Sequence, residues 1–351
     1  MEERDFSAVQ KDGFDLVGKA RELGVSSTFL ISDLSSAMFP KSDIILSDRL
    51  LSNSKLYLRS LVKEIESQLC LKATENLKIT HNSLTEIGNS VSSYSFDHLC
   101  AAGLLNNDGL MRHVFVQAQK TELAYRLLQK ISQEELENSL AMHIDDENQS
   151  VADAAMALLV SRNRSGFYTR QMPCRLVDVP VETYHQLVWS VTAAISKISG
   201  YQQAPLLNAA EILLEEHDES ESVERRAQRL AGLLDHSEEN VEIPHPIKDG
   251  LDLFFARVAL RSGLNVNQLV IFTSEPNMAR LVVVMKALSL SDKQAISIFT
   301  AINGSGNLLT PASYNEISQE QAKNMTRKWS HEPAFRVAER ALSSITLGSD
   351  D

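Results

Sequence analysis

No apolar run in the 351 residues approaches the roughly 20 needed to cross a bilayer, so no membrane-spanning segment is expected. A Lys/Arg-rich block is missing too. The 46 acidic residues outnumber 34 basic ones, for a formal net charge of -12, and a surface of that sign repels phosphate backbones; nucleic acid is not an expected partner. Only three cysteines occur, Cys70, Cys100 and Cys174, odd in number and without the close pairs of a tetrahedral metal site. They read as buried thiols in a reducing compartment. Strict alternation of apolar and polar residues is nearly absent, which removes sheet folds from consideration. The opening Met1-Glu2-Glu3-Arg4-Asp5 is acidic with no apolar core behind it, so neither a signal nor a transit peptide is expected and the chain reads as cytoplasmic.

What is present is helical spacing. Hydrophobic residues at 43% and charged residues at 23% suit a globular chain, and the length exceeds what one core usually holds. The expected fold is all-α: an N-terminal helical arm over 1–45, a helical-repeat-like (HEAT-like) domain over 46–165, a helical bundle over 166–302, and a closing hairpin with a tail over 303–351. In the arm, one helix around Phe14 to Leu23 and a second apolar stretch from Phe29 to Phe39 are expected. A long helix opens at Ser47-Asp48, with Leu58, Leu61, Val62, Ile65 and Leu69 as its buried stripe and Lys63, Glu64 and Glu66 among its polar residues. Ser132 with Glu135 forms a capping box. The periodicity stops between Ser161 and Pro180, where Gly166, Pro173 and Pro180 suggest an extended crossing between two halves. Helices resume at Pro180, and Asn303 to Asn307 reads as a break.

Leu187-Val188-Trp189 followed by Val191 to Ala194, with His217-Asp218-Glu219 and the later Arg229-Leu230-Ala231, resembles a bacterial family of helical proteins, domain of unknown function 2336. Ala101 to Leu105 and Gly250-Leu251 through Gly263-Leu264 extend the resemblance over most of residues 46–302. It implies helical repeats or bundles and assigns no activity, so it supplies no functional residue.

Two constellations carry candidate chemistry. Arg162, Arg164, Arg170 and Arg175, with Phe167 and Tyr168 among them, gather guanidinium forks that suit carboxylate or phosphate, and are expected to form an anion- or partner-binding strip. The competing expectation is that they pair with the chain's own surplus carboxylates. His217-Asp218, with His185 upstream and Asp252 downstream, fits the ligand types of an HD-type metal-dependent phosphohydrolase. Its setting, Glu215 to Glu221, reads instead as a solvated helix end, with Asp218 or Ser220 as a cap and His185 half-buried beside a core Trp189. Gly304 and Gly306 lack the following Lys-Ser/Thr of a phosphate loop. The function expected from these residues is a non-enzymatic helical scaffold or regulatory module that binds another protein and needs no cofactor. An HD-type hydrolase and a sensor of a small anionic ligand are the alternatives.

Overall fold

The computed structural model describes residues 16–21, 48–77, 82–132, 140–165, 174–199, 203–237, 243–303 and 309–332, with a few positions beyond. Among these the secondary structure is helical throughout and holds no strand, as the spacing predicts. No helix among the described residues is long and apolar enough to cross a membrane.

The chain forms two compact units. One comprises residues 26–256; the other runs from Arg257 onward and includes the short helix over 16–21, where Leu16 and Ala20 are buried. The stretch Phe29 to Phe39, the Ser132/Glu135 capping box and the break after Asn303 lie outside the described residues, wholly or in their key positions.

In the first unit the long helix α1 (Asp48–Leu77) is central. Its stripe of Leu58, Leu61, Val62, Ile65 and Leu69 is fully buried. Against it pack α2 (Asn82–Asn89), the short α3 (Phe96–Ala101), α4 (Asp108–Leu128), and the later α7 (Val181–Ser199) and α8 (Gln203–Glu215). Glu66, a polar-face residue by its sequence context, is instead fully buried. Its carboxylate accepts from Ser93 Oγ at 2.9 Å, from Tyr94 N at 3.3 Å and from Ser95 N, so it holds the turn that enters α3. A side core joins α5 (Ala141–Ile144) and α6 (Gln149–Ser165) to α9 (Val223–Ser237): Ala154, Ala155 and Leu158 meet Ala227, Leu230 and Ala231, and small residues let the helices approach closely. The expected boundary at 165/166 falls inside this unit, because α6 and α9 lie on either side of it and share that core.

Helix α10 (Pro246–Ser262) is kinked at Gly250, whose φ of 74° a side chain would resist. In the second unit α11 (Val266–Phe272) starts on an Asn265/Gln268 capping box. It is followed by α12 (Ala279–Ala287), α13 (Asp292–Asn303), α14 (Pro311–Asn315) and α15 (Gln319–Ser330). Here α15 packs on α12, and Trp329 meets Phe272 edge-on at 5.6 Å. Residues before and after 303 therefore share one core. Beneath them Arg280 and Glu275, both buried, form an ion pair, and the guanidinium lies 4.1 Å over the Phe272 ring.

Candidate functional site

The arginine strip begins on a helix, because α6 continues to Ser165 instead of ending near Ser161. A cation in the last turn of a helix favours the negative end of its dipole. Arg162 points into the protein. It is 2% exposed; its Nε donates to Asp252 Oδ2 at 2.9 Å, and its Nη2 donates to Asp252 Oδ1 and to the Asp249 carbonyl at 3.0 Å. Asp249 in turn accepts from His245 N at 2.7 Å, so the guanidinium clamps both sides of the Gly250 kink. This is a fork satisfied by the chain itself. Buried and paired in this way it is not displayed to a foreign anion, and removing one member of such a buried pair costs about 3–5 kcal/mol. Arg175 is half-buried and donates from Nη1 to the Ser161 carbonyl at 3.1 Å, fastening the segment before α7 to α6. Tyr168 and Arg170 lie outside the described residues.

Arg164 differs, being exposed with no carboxylate partner among the described residues. On the same face of α6, one and two turns earlier, stand Val160 at 40% and Met156 at 46% exposure, while Ala154, Ala155 and Leu158 opposite are buried. The run Met156-Ala157-Leu158-Leu159-Val160 is apolar all round the helix, more than one packing face requires. That excess was the sequence signal for the outward pair. Of the predicted strip, then, one arginine braces the core, one braces a crossing and one extends an exposed apolar stripe.

The histidines and Asp218 are engaged separately. His217 Nε2 lies 3.2 Å from the Val179 carbonyl, and its ring stacks on Tyr184 at 4.1 Å and 20°. Burial lowers its pKa, with the Val179 contact opposing. Asp218 is exposed, and its Oδ1 accepts from Ser220 N at 2.9 Å, capping a 3-10 turn over Glu219–Glu221 as its sequence context predicts. Those bonds to Ser220 hold its carboxyl below the usual range. His185 is exposed, not half-buried, and its Nε2 accepts from the Trp189 indole N-H at 3.2 Å. Asp252, the remaining carboxylate of the hydrolase arrangement, belongs to Arg162. Among the described residues no group of three or more His, Cys, Asp or Glu is placed to hold a metal ion.

A buried polar pair went unread in the sequence. Tyr57 Oη lies 2.9 Å from His113 Nε2. Desolvation pushes the Cys174 thiol up to about 12. A thiol so protonated at neutral pH is a poor nucleophile. Of the three cysteines only Cys70 is buried outright; Cys100 and Cys174 are partly exposed, and none forms a disulfide. Compared with known proteins, the chain matches no family model, no curated protein and no solved structure.

Proposed function

We propose that this protein is a non-enzymatic helical module that binds another protein through the outer face of α6. The observation that carries the reading is the line Met156, Val160 and Arg164 on a helix whose opposite face is locked into the core. Methionine adapts to irregular partner surfaces, and Met and Arg are both enriched at protein interfaces. A rigid helix presents them without an ordering cost at the moment of binding. The succession of packed helix pairs in residues 26–256 supports the helical-repeat-like description. Membership of domain of unknown function 2336 is proposed on the resembling segments alone.

The test is a photo-crosslinking residue placed at 156 or 160 in cells of the native source, with position 293, exposed in the other unit, as the control. A discrete heavier adduct from 156 and 160, absent from 293 and weakened by Arg164→Glu, is the expected result. Adducts no more specific than those of the control, or an adduct consisting of two copies of this chain, overturn the reading of a separate partner.

A further inference from the structure

The outer surface of α7 and α8 holds a second feature, independent of the α6 face. A cavity of about 560 Å³ opens there, lined by Trp189, Thr192, Ser196, Lys197, Gln203 and Leu207. That size falls within the range of about 300–1,000 Å³ typical of small-molecule sites.

Its groups divide into two kinds. Trp189 is half-buried and its N-H is already committed to His185, with the two rings edge-on at 69°. The indole therefore offers a ring face and no donor. Leu207, 43% exposed, supplies a second apolar surface. Thr192 spends its hydroxyl proton on the Val188 carbonyl at 2.7 Å. The remaining polar groups are uncommitted: the Lys197 ammonium, the Gln203 amide and the Ser196 hydroxyl have no hydrogen-bond or ion-pair partner among the described residues. Among the described lining residues these are one cation, one amide and one hydroxyl, which complement a carboxylate, and an indole face complements a planar ring. A ligand bearing several negative charges is disfavoured by the chain's net charge of -12 and by the single lysine in the described lining.

We infer that this cavity binds a small aromatic monocarboxylate, its ring against Trp189 and Leu207 and its carboxylate at Lys197. His185 is a positioning residue that fixes the indole through its N-H. The probe is 2-naphthoate, titrated into the full chain by calorimetry and by NMR of the two tryptophan indole N-H resonances, with neutral 2-naphthylmethanol and ATP in parallel. Expected are saturable binding of naphthoate with a Kd below about 1 mM, movement of the Trp189 resonance without that of Trp329, and weaker binding of the alcohol. Lys197→Met, an exposed substitution, should weaken naphthoate at least about tenfold and leave the alcohol unchanged, a loss in line with one charge-assisted contact. The assignment is overturned if naphthoate does not saturate, if the alcohol or ATP binds as well, or if Lys197→Met changes nothing.

Discussion

A proton on His113 would be buried and repelled by Lys120. The ring is 6% exposed, its Nε2 faces the Tyr57 hydroxyl, and burial, then repulsion from Lys120, lowers its pKa to about 3. In the unfolded chain the same group titrates near 6.5. Below that value the unfolded state binds a proton that the native state refuses, so stability is lost as the pH falls from about 6.5 towards 3, by at most about 1.4 kcal/mol per pH unit from this residue. NMR of the histidine ring in the native protein should show no midpoint for His113 between pH 7 and 4, and His113→Asn should flatten the acid limb of the unfolding curve. A native midpoint near 6.5 would refute the account. The face of α4 that buries His113 was legible, since Leu110, Met111, Val114 and Phe115 surround it in sequence. Its partner was not, because Tyr57 lies 56 residues upstream and local spacing carries no information about pairs so distant.

Helices were the most legible level, and their ends repay comparison. After α3, Gly103 N donates to the Cys100 carbonyl at 3.0 Å and Leu104 N to that of Leu99 at 3.0 Å. After α12, Ser289 N donates to the Lys286 carbonyl at 3.0 Å and Leu290 N to that of Met285 at 3.2 Å. Both are the same closing motif, which needs a left-handed residue: Gly103 has φ 71°, and Ser289 has φ 64° despite its side chain. Ser289→Gly should therefore raise stability by about 1 kcal/mol, seen as a higher denaturant midpoint with an unchanged slope. The serine hydroxyl accepts from the exposed Gln319 amide. A midpoint that falls would mean that this contact outweighs the backbone strain. Periodicity missed α11 because seven residues make barely two turns, although Asn265 and Gln268 stand at capping-box spacing. It also missed the continuation of α6 past Ser161, where Arg162 looks polar but is an inward-facing member of an ion pair.

At the scale of the molecule, the all-α class followed from composition and period, while the division into units did not. The helices before and after the expected boundary belong to one unit, and what unites them is the α6–α9 core and a clamp between residues 90 apart. Neither leaves a local trace. The candidate site was legible only in part for the same reason: residue type announced the arginines, whereas burial decided which could meet a ligand. The charge imbalance acts on the whole chain at once. Several ion pairs are solvent-exposed, as with Arg59 and Asp97 at 59% and 84%, and pairs of that kind contribute at most about 1 kcal/mol each. Repulsion among the surplus carboxylates is spread over the surface and opposes compaction. Raising NaCl from about 10 to 150 mM shortens the screening length from about 30 to 8 Å. Both effects weaken, and the diffuse repulsion, acting over longer distances, weakens more. The melting temperature should therefore rise across that range; a fall would mean that the exposed pairs, not the net charge, dominate the electrostatics of this protein.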